Sequence, residues 1–190
     1  KPRGYHTTMS DEMGRPCVGD LVADRIDAGQ RLFHVGRLDA DTEGLLLLTN
    51  DGDLAHVLAH PSFGVTKVYI AKVEGRVAPQ TIARLTKGIE LEDGPIAADK
   101  ARLLDASAGS SLVELTLHSG RNRIVRRMMA AVGHPVTELV RRQFGPLHLG
   151  TLPAGRAREL TTVERGALLT VARQAADEPR SDSADSAASD

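Results

Sequence analysis

Gly36-Arg37-Leu38-Asp39-Ala40-Asp41-Thr42-Glu43-Gly44 places three carboxylates and an arginine between two glycines, directly ahead of Leu45-Leu46-Leu47-Leu48. A polar loop fixed to a rigid apolar strand can aim one carboxylate as a nucleophile or as a stabiliser of positive charge. On this pattern alone the same acids read equally as caps for backbone amides in a turn. Calcium is a third chemistry, since Asp39, Asp41, Glu43 and Gly44 match positions 1, 3, 5 and 6 of an EF-hand loop. Position 12 would be Asn50 where a bidentate glutamate is required, and leucines occupy the exit of the loop, which argues against it. His56 and His60 stand four apart after Asn50-Asp51-Gly52 and can share a helix face, but no glutamate follows His56 and no third ligand is evident. They read as a pair on a helix surface.

Gly120-Arg121-Asn122-Arg123-Ile124-Val125-Arg126-Arg127-Met128-Met129 gives the strongest signal. Drawn as a helix from Ile124, it puts Met128, Val132, Val125 and Met129 between about 40° and 140°, and Arg126, Arg123 and Arg127 between about 200° and 300°. One face packs and the other carries arginine. A solvated basic face is the plain reading, yet no glutamate is interleaved, and arginine's rigid fork suits phosphate or a buried carboxylate.

These segments need a scaffold. The chain has 190 residues, 41 % of them apolar, enough for one core-bearing domain. Strands are expected at Tyr5–Met9, Leu32–Val35, Leu45–Thr49, Val65–Val73, Pro95–Leu104, Ser111–His118, Val136–Phe144 and Arg156–Leu160. Period-two alternation in Val65–Val73 sets Val68 and Ile70 on one face and Lys67, Tyr69 and Ala71 on the less apolar one. Helices are expected at Val18–Asp27, Asp53–His60, Gln80–Lys87 and Asn122–Val132, and a C-terminal one of about three turns follows the capping box Thr161-Thr162-Val163-Glu164. Strands outnumber helices at hairpin-like spacings, so the fold class is α+β, with a mixed, mainly antiparallel sheet flanked by helices. The ordered domain is placed at residues 1–174, and the Ala/Ser/Asp-rich residues 175–190 are expected to be a disordered acidic tail.

The net charge of −1 conceals segregation: −4 over residues 1–117, +7 over 118–158, balance over 159–174 and −4 over 175–190. An arginine-lined anion site fits that distribution. With Phe 3, Tyr 2 and Trp 0, base stacking can only be a local device. The single cysteine, Cys17, excludes an intrachain disulfide and a four-cysteine zinc site and fits a reducing cytosol. No apolar run reaches the roughly 20 residues that span a bilayer.

Together these segments resemble the pseudouridine synthases, in the branch that modifies ribosomal RNA. Lys1-Pro2-Arg3-Gly4 is similar to the family's first motif, and Gly36 to Gly52 to its catalytic motif almost residue for residue. Lys67-Val68-Tyr69, the Gly120-to-Met128 stretch, and Arg142-Gln143-Phe144-Gly145 through Leu152 and Gly155 to Arg158-Glu159-Leu160 follow in order. The resemblance implies that family's fold with a central active-site cleft, and a cofactor-free, metal-free isomerase that breaks the N1–C1′ bond of a uridine, rotates the base and rejoins it through C5. It implies Asp39 as the essential acid, Tyr69 as the residue packed on the base and a proton acceptor, and Arg126 as the basic partner of Asp39. Arg37 would fill the gap left by the flipped nucleotide, and Arg121, Arg123, Arg127 and Arg142 would hold RNA.

The implied partner is ribosomal RNA or a ribosomal precursor particle, handled by a cytoplasmic monomer; the Gly120-Arg121-Asn122-Arg123 stretch leans toward the large-subunit type and 23S RNA. Alternatives are a 16S target, or a non-catalytic assembly factor using the same fold as a grip. Family members usually carry a small RNA-binding domain ahead of the Lys-Pro-Arg-Gly motif with which this chain begins. The implied roles are chemically reasonable. A uridine in folded RNA must be flipped out at a cost of a few kcal/mol. Phosphate contacts offset that cost, and a guanidinium beside Asp39 orients its carboxylate.

Overall fold

A computed structural model describes residues 1–177. Its main sheet runs β10 (Leu147–His148), β9 (Val136–Phe144), β4 (Lys67–Glu74), β8 (Ser110–Leu117), β7 (Lys100–Ala106), all antiparallel neighbours. β2 (Glu43–Gly44) adds to β9 in parallel, with Glu43 opposite Val140 and Gly44 opposite Arg141. Two ribbons complete the strands, β1 (Phe33–His34) with β3 (Leu48–Thr49) and β5 (Ile89–Leu91) with β6 (Gly94–Ile96). The helices are α1 (Val18–Leu21), α2 (Ala23–Asp27), α3 (Gly52–Ala59), α4 (Pro79–Lys87), α5 (Ile124–Ala131) and α6 (Thr162–Asp177). None of the described helices is long and apolar enough to cross a membrane.

Two cores form, and β9 contributes to both. Ala71, Val73, Val113, Leu115 and Leu117 of the sheet pack with Leu85 of α4 and with Ile124, Val125, Met128 and Met129 of α5, and Leu139 of β9 joins them. Full burial of each such side chain contributes roughly 1.5–3 kcal/mol, which fixes the rotation of α5 and turns its arginines outward. The second core gathers Val35, Leu47, Ala55, Leu58, Phe144, Leu147, Leu168 and Ala172 from α3, α6 and the strands between them. Arg141 lies on β9 between Leu139 and Phe144, so a polar seam runs where the cores meet.

Several expected elements differ for identifiable reasons. The leucine run is no continuous strand. The chain leaves the main sheet after Gly44 and joins β1 at Leu48, with Leu47 oxygen accepting from Val35 N at 2.9 Å between them. Tyr5–Met9 makes a single parallel bridge, His6 to Cys17: its backbone bonds Pro16, Val18 and Gly19 at the start of α1, while the Thr7 hydroxyl turns to Leu38 ahead of Asp39. Arg156–Leu160 forms no strand, and Arg158 instead holds Glu164 at the head of α6 at 2.7 and 2.8 Å. Pro95–Leu104 splits between β6 and β7, and Val18–Asp27 breaks at Val22.

The alternation in β4 holds, but the packed face is the reverse of that expected. Tyr69, Ala71 and Val73 point into the first core, while Ile70 is half-buried and Lys72 exposed. Helices on that side of the sheet make it the inner one, which alternation alone cannot reveal. α6 continues to Asp177, past the boundary placed at 174, and the rest of the expected tail lies outside the described residues.

Candidate active site

Asp39 sits in a short turn closed by Thr42 N donating to Asp39 O at 2.9 Å. The amino-terminal segment straps this turn from outside. Gly4 N donates to Ala40 O at 2.6 Å, and the buried Thr7 hydroxyl donates to Leu38 O at 2.6 Å while accepting from Leu38 N at 3.1 Å. At its far end Gly44 is pressed on β9. A Cβ there would lie 2.3 Å from Arg141 O and 2.5 Å from Arg141 N, at a φ of +125° that favours glycine. The strap and the glycine contact fix both flanks of the loop.

Two arginines close the open side. Arg123 Nη1 donates to Asp39 Oδ2 at 3.3 Å, and its Nη1 and Nη2 grip Asp41 at 3.2 and 3.1 Å. Arg123 is the only described non-glycine residue with positive φ, 51°, immediately before α5. A left-handed arginine costs about 1–2 kcal/mol, so its position is held by its surroundings. The expected Arg126–Asp39 pair is not formed: the cation on Asp39 is Arg123. Arg126, only 13 % exposed, donates through Nη2 to Asp41 O at 2.9 Å, and that nitrogen lies 3.5 Å from Asp41 Oδ1 and from Thr42 Oγ1. It braces the backbone of the turn from below, and its buried Nε has no partner. Asp41 is thereby held below the ordinary carboxylate range, chiefly by the Arg123 hydrogen bond, with the Arg126 and Arg123 charges adding.

Asp39 lies five residues ahead of a cross-strand row in which Gly44 of β2, Arg141 of β9, Tyr69 of β4 and Leu115 of β8 are neighbours. Arg141 is 3 % exposed and makes no ion pair among the described residues. Its Nε donates to Leu45 O at 2.9 Å, its guanidinium lies 5.2 Å from the Phe144 ring centre, and Nη2 is unsatisfied. Burial pulls its pKa down, and the neighbouring Tyr69 partly opposes this. Lys67, two residues before Tyr69 on β4, is also buried, its Nζ lies 5.9 Å from the centre of the same Phe144 ring, and its pKa is lowered to about 8 by burial and then by Arg141. Two buried cations with no ion-paired carboxylate among the described residues mark this seam as a place for negative or electron-rich groups.

The remaining expected RNA contacts are engaged inside the chain. Arg121 donates to Pro95 O at 2.6 Å and Gly94 O at 3.2 Å and reaches Asp93 at 3.4 Å; Arg127 binds Asp93 at 2.8 Å and Asn122 O at 2.8 Å. Both clamp the β5–β6 hairpin to α5. Arg142 is the extra residue of a bulge in β9 and reaches across β4 to Glu114 at 2.8 Å, an acid it shares with Arg102 at 3.3 Å. Arg37 is exposed. The expected helix start at Asn122 moves to Ile124 because Arg123 adopts the left-handed conformation. The sequence reading gave no catalytic or RNA-binding role to Arg141 or Lys67 and weighed Asp41 only as a turn cap or calcium ligand. The adjacent pair Arg141-Arg142 within a strand was the available signal for Arg141, but cross-strand register is not legible from one chain.

No group of three or more His, Cys, Asp or Glu among the described residues is placed to share a metal ion. A recess of about 220 Å³ opens behind β2 between Glu43, Val140, Leu152 and Arg156, and Asp39 is not part of its lining.

A profile of the RNA pseudouridylate synthase family matches residues 1–131. The chain is 56 % identical over 169 residues to an uncharacterized RNA pseudouridine synthase of Mycobacterium tuberculosis, covering 88 % of this chain and 66 % of that protein. It is 46 % identical over 166 residues to ribosomal large subunit pseudouridine synthase B of Bacillus subtilis, covering 86 % of this chain and 67 % of that one. The chain thus spans about two thirds of the length of these relatives. Among solved structures, the crystal structure of a pseudouridylate synthase superposes with a TM-score of 0.76 at 35 % identity, over 88 % of this chain and 70 % of that one.

Proposed function

Because this chain belongs to the RNA pseudouridylate synthase family, we propose that it isomerises one uridine of ribosomal RNA to pseudouridine, with Asp39 as the essential residue. The single observation that carries the reading is the Asp39 turn itself. It is strapped by the amino-terminal segment, braced through its backbone by Arg126, faced by Arg123 and anchored on β9 by Gly44. So much structure committed to one half-exposed carboxylate fits a group that must meet a substrate in fixed geometry.

In the proposed reaction the uridine leaves its stack and its ribose C1′ comes against the Asp39 carboxylate. The N1–C1′ bond breaks with charge developing on the sugar, which the carboxylate stabilises or captures. The uracil turns, C5 bonds to C1′, the proton on C5 departs and N1 takes one up. Tyr69 is the residue proposed against the base and as acceptor of the C5 proton. Its neighbour Arg141 is suited to hold uracil oxygens, whose electron density rises once the base is detached. Arg126 acts through the turn backbone as a positioning residue, and Arg123 guards Asp39 until a phosphate or the sugar displaces it. Large-subunit RNA is the proposed target, supported by the Bacillus relative's printed name. Chemical mapping of pseudouridine in ribosomal RNA from cells lacking the gene tests this: one large-subunit site loses its modification. An unchanged map favours a non-catalytic RNA grip, and loss in the small subunit moves the target to 16S RNA.

A further inference from the structure

α3 ends in a small aromatic recess that none of the chemistry above uses. His56 on α3, His60 just past its end, and Ser62 and Phe63 in the single turn of 3₁₀ helix Pro61–Phe63 line a concave volume of about 260 Å³. The His56 and His60 ring centres are 5.3 Å apart at 59°, and His60 meets Phe63 edge-on at 5.9 Å. His60 Nδ1 lies 2.6 Å from the Ser62 hydroxyl and accepts from the Ser62 amide at 3.2 Å, so this ring is locked in orientation. Both histidines are exposed. A protein with three phenylalanines, two tyrosines and no tryptophan has thus set a phenyl and two imidazoles around one opening.

The recess borders the site. A Cβ on Gly36, next to Arg37 and the Asp39 loop, would lie 3.9 Å from Ala59 Cβ at the end of α3; one on Gly120, ahead of Arg121 and Arg123, would lie 3.7 Å from Pro61 Cγ. The backbones of both loops therefore run beside its rim, one of them carrying the exposed Arg37, so an RNA strand entering the site passes close to the opening. Resting on the isomerase reading, we propose that His56, His60 and Phe63 form a stacking site for one unpaired RNA base beside the target uridine. Two exposed imidazoles beside a half-buried phenyl can take a planar base on face or edge without reading its identity. A metal site is the competing use of a histidine pair, but among the described residues no third His, Cys, Asp or Glu joins the pair.

Fluorescence anisotropy with labelled decauridylate tests the proposal. His56→Ala is expected to weaken binding about fivefold or more, and His56→Phe to keep it within about twofold of the unaltered protein. Phe63→Leu should follow His56→Ala, and the salt dependence of binding should keep its slope, since no phosphate contact is lost. Unchanged affinity in His56→Ala overturns the proposal. So does binding retained in His56→Lys but lost in His56→Phe, which indicates a phosphate contact, or tight binding of zinc chloride that His56→Ala abolishes. Pseudouridine formation by the unaltered protein on a ribosomal RNA transcript is scored separately. Its absence counts against the isomerase reading, while the decauridylate series decides the stacking site.

Discussion

Replacing Gly44 with alanine attacks the anchor of the Asp39 loop without touching any charged group. The new Cβ would stand 2.3 Å from Arg141 O and 2.5 Å from Arg141 N, backbone atoms held in the main sheet, so β2 must lift from β9. That breaks the Leu45 N to Arg141 O bond of 2.8 Å and the Arg141 Nε to Leu45 O bond of 2.9 Å. A neutral and a charge-assisted hydrogen bond contribute about 1 and 1.5–3 kcal/mol. An L-residue at a φ of +125° adds about 1–3 kcal/mol. The expected loss is therefore about 5 kcal/mol, or a drop in Tm of about 10–20 °C for a domain of this size. Gly36→Ala is the control: its φ of +67° costs about 1–2 kcal/mol, but the new Cβ meets only Ala59 Cβ at 3.9 Å. Thermal unfolding followed by circular dichroism reads both, with pseudouridine formation on an RNA transcript assayed beside it. Gly44→Ala should lose turnover as well as stability. A Gly44→Ala variant melting within about 2 °C of the parent would refute the reasoning that this contact fixes the loop.

Four further changes test other parts of the protein. Lys67 has its pKa lowered from 10.5 to about 8 in the folded state, so between those values the folded protein binds fewer protons than the unfolded chain and stability rises with pH. Lys67→Met removes this dependence. In urea titrations it should be more stable than the parent by on the order of 3 kcal/mol at pH 7, with the gain gone above the unfolded lysine's pKa; a gain independent of pH would contradict the burial argument. Arg126→Ala should cost about 1.5–3 kcal/mol because Asp41 O loses a charged donor. Arg123→Gly should change stability by no more than about 1 kcal/mol, its left-handed strain offsetting exposed ion pairs, yet still slow turnover; equal destabilisation by both would reverse the assigned roles. Asp93→Asn removes the carboxylate that neutralises Arg121 and Arg127 and should tighten RNA binding and steepen its salt dependence, which unchanged affinity would disprove.

Local signals carried much of this fold. The apolar stripe of α5, the β9 strand and the proline stop after α3 are recoverable from periodicity and breakers, and β9 has the bounds the alternation gives. Features set by distant partners were not. The leucine run changes sheets because Gly44 and Leu48 find different partner strands, and Tyr69 faces inward because α4 and α5 cover that side. The site follows the same division. Asp39 stood out through its loop chemistry and family motif, but which arginine meets it depends on a left-handed Arg123 that no propensity favours. Arg141 was visible as charge, whereas its burial between two cores follows only from the register of β9 against β4 and β2.

Asp39 is the claim on which the account turns, and a single substitution reaches it. Asp39→Asn keeps the size of the side chain, leaves the Thr42 N to Asp39 O turn intact and gives up only one exposed contact of 3.3 Å to Arg123. Pseudouridine in a large-subunit ribosomal RNA transcript, measured after incubation with equal amounts of parent and variant, should be present with the parent and absent with Asp39→Asn, while RNA affinity and Tm stay close to the parent's. Parent-level pseudouridine from the Asp39→Asn protein would contradict the account.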